Sequence, residues 1–136
     1  GIIIPVNIAG LKQACSAAKE LSKILELEFD ALKSQDLDKF EILQKQKEPI
    51  LSLLQTLNVP PQDKNIKNDP WEPLRNIVSE CQESHRRNEI LINRKLESIR
   101  MALNTMTGND ANSSLEMYDK LGKISQKQPG KKFLEV

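Results

Sequence analysis

The chain has 136 residues, and its 20 Lys and Arg residues against 19 Asp and Glu residues give a formal net charge of +1. Hydrophobic residues make up 38% of the chain and charged residues 29%, which predicts one domain with a thin core and a large wetted surface. The near-zero net charge provides no strong field for phosphates, which argues against nucleic-acid binding and against attachment to an anionic membrane.

The first six residues, Gly1 to Val6, are apolar, but they have no basic leader and are interrupted by proline. We expect neither a signal peptide nor insertion into a membrane. Cys15 and Cys81 lie far apart and form no Cys-x-x-Cys pair. This pattern predicts reduced, buried thiols and a cytoplasmic protein.

The first predicted helix covers about 7–33 and carries apolar residues at steps of three and four. Its stripe consists of Ile8, Leu11, Cys15, Ala18, Leu21, Leu25, Phe29 and Leu32. A polar turn follows, in which the Asp36 side chain can accept hydrogen bonds from free amides of the next helix. Because this connection is short, the first two helices are expected to form an antiparallel hairpin.

The second predicted helix covers about 37–57. Its apolar residues are Phe40, Leu43, Ile50, Leu54 and Leu57. Lys47 takes a position in this stripe, and Pro49 lacks the amide that an interior turn needs, so we expect a kink between Lys45 and Pro49. Pro60 and Pro61 then open a polar connection.

The third predicted helix covers about 70–106, where Asp69 suits the N-cap and Pro70 the first helical position. Its stripe consists of Leu74, Val78, Cys81, Ile92, Leu96, Ile99, Leu103 and Met106. His85 and Asn88 are polar positions inside this stripe, and we interpret them as polar layers that fix helix register. A metal site at Cys81 and His85 is disfavoured because no further Cys or His pair completes the coordination.

These elements predict an all-α fold, an antiparallel bundle or coiled coil of three long helices within residues 1–107. Trp71 is expected to plug one end of the bundle. The third helix is about 50 Å long and therefore longer than the second, so one of its ends must extend beyond the second helix. Gly108 can supply a left-handed C-cap, and residues 108–136 are predicted to be a C-terminal tail that is flexible or forms a short helix.

No constellation for catalysis is recognisable at a plausible spacing: neither a nucleophile with a base, nor paired carboxylates on an apolar background, nor a Gly-rich phosphate loop. We therefore predict that the chain is not an enzyme and needs no cofactor or metal. The basic residues His85, Arg86 and Arg87 alternate with glutamates, which is typical of a solvated, ion-paired helix face.

Three groups of residues carry a likeness to a known family. They are Ala31-Leu32, Asp38-Lys39-Phe40 and Lys47 in the hairpin, Asn88, Leu91 and Ile92 in the third helix, and Leu115-Glu116-Met117-Tyr118-Asp119-Lys120-Leu121-Gly122 with Gly130-Lys131-Lys132 near the end. With these residues the chain resembles FlgN, the flagellar export chaperone, over most of its length. The family ending Tyr-Gly-x-x-Gly is matched from Tyr118 to Gly122, with Asp119 in place of the first glycine.

The resemblance implies a cytoplasmic chaperone of type III flagellar export. Such a protein binds the C-terminal segments of hook-associated proteins, which form the hook-filament junction, and delivers them to the export gate and its ATPase complex. The resemblance further implies that Tyr118 contacts the gate and that the end of the third helix and the tail capture the client.

The residues themselves suggest how capture could work. Methionines repack around different partners, so an apolar groove containing them suits an amphipathic client helix. The candidate client-binding residues are Ile99, Met101, Leu103, Met106, Leu115, Met117 and Leu121. We expect the tail to cover this groove until a client displaces it and frees Tyr118.

Two alternatives belong to other classes. One is a homodimeric coiled-coil scaffold or adaptor without a secreted client, in which the stripe of the third helix packs against its own copy. The other is a nucleic-acid adaptor, which the near-neutral charge disfavours.

Overall fold

The computed structural model describes residues 8–57, 59–106 and 108–135, and within these ranges it contains helices and no strands. In chain order the helices are α1 (Ile8–Ser34), α2 (Leu37–Gln55), α3 (Glu72–Leu103), α4 (Asn109–Gln126) and the short α5 (Lys131–Leu134). The all-α prediction is therefore confirmed. Residues 1–7 and Thr107, which belong to predicted elements, lie outside the described residues.

Helix α1 packs against both α2 and α3. Its apolar stripe has the predicted helical spacing, and Leu21, Leu25 and Leu32 are all completely buried. The turn into α2 also has the predicted form, because Asp36 Oδ1 accepts a hydrogen bond from the Lys39 amide at 3.1 Å. Only two residues, Gln35 and Asp36, separate the end of α1 from the start of α2, and the Asp36 cap stabilises that start.

Helix α2 continues through Pro49, so the proline is accommodated inside the helix instead of ending it. Helix α3 begins at Glu72, two residues after the predicted start at Pro70. The Asp69 side chain accepts from the Trp71 amide at 2.9 Å and also pairs with Arg75. Trp71 itself packs against the adjacent core, as expected of a residue that closes the end of the bundle.

The buried apolar residues form two clusters. The first core cluster comprises Ala14, Ala17, Ala18, Leu21, Leu25, Leu51, Leu54, Leu74, Cys81 and Leu134. The second core cluster comprises Ile24, Ala31, Leu32, Phe40, Leu43, Ile92 and Leu121. Five buried polar residues lie on α1, α2 and α3 where the two clusters adjoin, and we call them the polar layer. They are Glu28, Gln44, Lys47, His85 and Asn88.

The C-terminal segment differs from the expected three-helix bundle with a loose or short-helical tail. Helix α4 has 18 residues and packs along α3, which makes it a fourth long helix among the described residues. Leu121 and Leu134 are each only 1% exposed and complete the second and first core clusters respectively. The tail needs no core of its own because its leucines enter a core that the earlier helices have already formed.

The connection between α3 and α4 also differs from expectation. Helix α3 ends at Leu103 with Asn104 as its C-cap, so Met106 lies beyond the helix. Gly108 has φ +78° and ψ −145°, and it precedes α4 as the N-cap instead of closing α3 in a left-handed conformation. This backbone region is open to glycine and strained for other residues.

Gly130 and Gly122 provide a matched test of how the C-terminal segment docks. Gly130 has φ +71°, and a Cβ there would collide with the buried Leu51 side chain, whereas a Cβ on Gly122 inside α4 would meet open space. We expect Gly130→Ala to destabilise the fold by more than about 1 kcal/mol. Gly122→Ala should stabilise it by about 0.5–1 kcal/mol, because alanine is the better helix former. Urea unfolding of both variants measures this, and equal effects would contradict the packing of Gly130 on Leu51.

Candidate functional site

The end of the α3–α4 hairpin exposes apolar side chains. Met101 on α3 is 62% exposed, Met106 in the connection 38%, and Leu115 on α4 48%. We call these three residues the tip surface. They were predicted as client-binding residues, and all three belong to the exposed large hydrophobic residues in the described part of the chain, with Met101 the most exposed of these.

The other candidate client-binding residues lie deeper. Ile99, Leu103 and Met117 are half-buried, and Leu121 is buried in the second core cluster. A small cleft of about 90 Å³ brings Ile99, Met117 and Leu121 together at the α1–α2 turn. The tip surface is therefore directly accessible to a binding partner, whereas Leu121 becomes accessible only if α4 moves.

Helix α4 packs along α3 mainly through half-buried side chains, and Ile124 joins Leu121 at the second core cluster. Leu121 is the one side chain of α4 that is buried among those described. Lys120 Nζ lies 2.5 Å from Asp38 Oδ1 and 3.7 Å from Glu41 Oε2, and these are exposed carboxylates at the start of α2. The hydrogen bond between Lys120 and Asp38 raises the pKa of Lys120 and lowers that of Asp38. Exposed pairs of this kind contribute little to stability because water screens them.

Tyr118, the predicted gate contact, is half-buried on α4. Tyr118 lies near Arg100 at the carboxyl-terminal end of α3. The pKa of Arg100 is raised mainly by its hydrogen bond to Glu97 and to a smaller extent by Tyr118. Asp119, which stands where the family that the sequence resembles has a glycine, is exposed and lies within the continuous helix. The aromatic ring is thus partly covered for as long as α4 stays docked on α3.

The polar layer is centred on an ion pair. Lys47 Nζ lies 3.0 Å from Glu28 Oε1, and both side chains are fully buried. Gln44 Nε2 donates to Glu28 Oε2 at 2.8 Å, which occupies the second carboxylate oxygen. Burial lowers the pKa of Lys47, while the charge of Glu28 opposes that shift. The pair therefore joins α1 to α2 through charges that have no access to water.

Asn88 and His85 extend the polar layer onto α3. Asn88 Nδ2 donates to the Leu25 carbonyl of α1 at 2.8 Å, and Arg87 donates to Asn88 Oδ1. The predicted burial of Asn88 and His85 in the α3 stripe is confirmed, since they are 0% and 1% exposed. Burial, followed by the nearby Lys47 charge, lowers the pKa of His85 to about 4, so its ring is neutral at pH 7.

The sequence reasoning missed Glu28 and Gln44. A signal for Glu28 was present, because it continues the spacing of Leu25 and Leu32 along the buried stripe of α1. Cys81 is buried as predicted, whereas Cys15 is half-buried. Burial raises the pKa of the Cys81 thiol to about 12, and its Sγ contacts the Ala18 carbonyl at 3.6 Å. Cys81 is therefore a core residue with a protonated, unreactive thiol.

The described part of the chain contains no helix of the length and apolar character needed to cross a membrane. Comparisons with protein-family models, with curated proteins and with solved structures find no match to this chain.

A double-mutant cycle tests the buried ion pair. Lys47→Met leaves Glu28 as an unpaired buried charge, and Glu28→Met does the same to Lys47, so each should cost about 3–5 kcal/mol of unfolding free energy. The double variant removes both charges and fills the space with apolar atoms, so its loss should be much smaller than the sum of the single losses.

Chemical unfolding of the four proteins at pH 7 measures the coupling. Lys120→Met removes an exposed lysine of an ion pair and serves as a control that should leave the stability unchanged. Additive losses in the Glu28 and Lys47 variants would contradict a direct interaction between the two buried charges.

Proposed function

We propose that this chain is a cytoplasmic export chaperone of the FlgN type and a binding protein, not an enzyme. Its clients are the C-terminal amphipathic segments of hook-associated proteins, which it delivers to the flagellar export gate. The proposal is supported by the family resemblance of the sequence and by the apolar tip surface of the α3–α4 hairpin.

The main structural support for the proposal is that the side chains of the tip surface are apolar and exposed. Its three residues include two methionines, whose unbranched and polarizable side chains adapt to partners of different shape. Apolar side chains that stay exposed cost free energy, which a partner recovers by covering them. An amphipathic helix supplies such a cover, with anchor residues at helical spacing along its apolar face.

The way α4 is held supports a mechanism of capture. Burial of Leu121 contributes about 1.5–3 kcal/mol, the half-buried Met117, Tyr118 and Ile124 add smaller contacts, and the pairs of Lys120 are exposed. We therefore expect a client to displace α4 at moderate cost. Displacement uncovers the half-buried residues Ile99 and Leu103 and extends the tip surface into a groove. Movement of α4 also releases Tyr118 from α3 for contact with the gate.

A homodimeric scaffold is the alternative, in which the α3 stripe packs against a second copy. In the structure this stripe already packs within the chain, since Leu74, Cys81 and Ile92 are buried in the two core clusters. This burial favours a monomeric client-binding protein. Sedimentation of the chain alone at several concentrations separates the two, because the scaffold gives twice the monomer mass.

Titration with a C-terminal peptide of a hook-associated protein tests the proposed function. A charge in the apolar contact is costly, so Leu103→Asp and Met106→Asp should each weaken binding at least about tenfold, or about 1.4 kcal/mol. Ile66→Asp adds the same charge at an exposed apolar residue of the α2–α3 connection and should bind like the unmodified chain. Tyr118→Ala should keep peptide affinity and lose binding to the export gate.

Calorimetry of each variant, after circular dichroism has shown that it is folded, provides the measurement. Unchanged affinity in both Leu103→Asp and Met106→Asp would remove the groove from the mechanism. Absence of binding by the unmodified chain would contradict the proposed function itself.

A further inference from the structure

A histidine and two glutamates converge where the C-terminal segment meets α3. They line a groove of about 570 Å³ that is formed by one face of α3 together with Leu134 and Glu135. His85 and Glu89 are one helical turn apart on α3, and Glu135 follows α5. Each of the three offers one ligand atom, and these atoms all lie within 4.8 Å of one another.

His85 is the residue that indicates a ligand. Its ring is 1% exposed, and neither Nδ1 nor Nε2 makes a hydrogen bond of good geometry within the described part of the chain, although Nε2 has the Glu89 carboxylate within ion-pair distance. Buried polar atoms in native proteins almost always have a partner, because leaving them unpaired costs free energy. The ring lines the groove, so a ligand that enters there can supply the missing partner.

The geometry suits a tetrahedral metal ion. His85 Nε2 lies 3.3 Å from Glu89 Oε2. Two ligand atoms that are each about 2.0–2.1 Å from one tetrahedral zinc ion are about 3.3 Å apart. Glu135 is the exposed member of the group, so its side chain is free to close the remaining distance.

The two carboxylates also favour a cation, whereas the positive charges of Lys47 and Lys131 oppose one at His85. The carboxylate oxygens of Glu89 and Glu135 lie within 4.8 Å of each other, which brings two negative groups together at one place. Lys131 partly compensates, with its Nζ 3.9 Å from Glu135 Oε1, but this pair is exposed and weak. A divalent ion between the carboxylates would neutralise them more completely.

We propose that His85, Glu89 and Glu135 bind one Zn²⁺ ion, with water from the groove as the fourth ligand. One imidazole nitrogen and two carboxylate oxygens form a donor set that zinc accepts, whereas Mg²⁺ and Ca²⁺ prefer oxygen donors alone. The ion joins α3 to the residue after α5 and thereby fastens the C-terminal segment to the bundle. This site is separate from the tip surface and does not depend on the proposed chaperone function.

Calorimetry with ZnCl₂ and the full chain, free of any affinity tag and treated with a chelator before dialysis, tests the site. We expect one Zn²⁺ per chain, and a melting temperature that rises with zinc concentration, because the ion binds the folded state. His85→Ala and Glu135→Gln should each lower the zinc affinity at least tenfold. Glu83→Gln changes a carboxylate that lines the same groove outside the triad and should keep the affinity.

Each outcome decides the proposal. Absence of zinc binding by the unmodified chain, or unchanged affinity in a folded His85→Ala or Glu135→Gln variant, would overturn the site. If His85→Ala does not fold, Glu135→Gln decides alone, because Glu135 is exposed. Equal affinity for Mg²⁺ would overturn the assignment to zinc, and a thiolate charge-transfer band after Co²⁺ binding would place the ion on a cysteine instead.

Discussion

The buried ion pair between Glu28 and Lys47 is the constraint on which the bundle depends. Two apolar helices that pack through leucines can slide by a turn at modest cost, because one leucine replaces another. A slide of α2 along α1 by one turn, about 5.4 Å, would leave a carboxylate and an ammonium group apart in an apolar core. Gln44 restricts the register of α2 against α1 further, since it hydrogen-bonds to the same carboxylate. The pair therefore selects one register, whatever it adds to the net stability.

The polar layer, to which this ion pair belongs, also fixes where α3 and the C-terminal segment lie. Asn88 reaches the Leu25 carbonyl and ties α3 to α1 at the height of the ion pair. Apolar clusters then form near the two ends of the bundle, and each is completed by one leucine of the C-terminal segment. Leu121 is the one buried side chain among those described on α4, so we interpret α4 as a cover on the bundle that α1, α2 and α3 define. The apolar tip surface remains where α3 and α4 extend beyond this bundle.

Periodicity predicted the first three helices and most of their buried faces, since local spacing determines both. It also placed Lys47, His85 and Asn88 inside apolar stripes, although the ionic partner Glu28 was overlooked. The tail was expected to be flexible or a short helix that covers the groove. The length of α4 and the burial of Leu134 in the first core cluster were missed, because the few apolar residues of the tail were judged against a core of their own. Glu135 could not be placed beside His85 by any local pattern, because the two residues meet only after α5 has packed.

Native-state hydrogen exchange of the full chain tests the central claim most directly. If α1, α2 and α3 are one unit whose register the polar layer sets, and α4 is a cover, then α4 opens separately. We predict that the amides of α4 exchange through an opening of lower free energy than the amides beside the polar layer. Exchange of α4 only together with α1 and α3, at the free energy of global unfolding, would contradict this prediction.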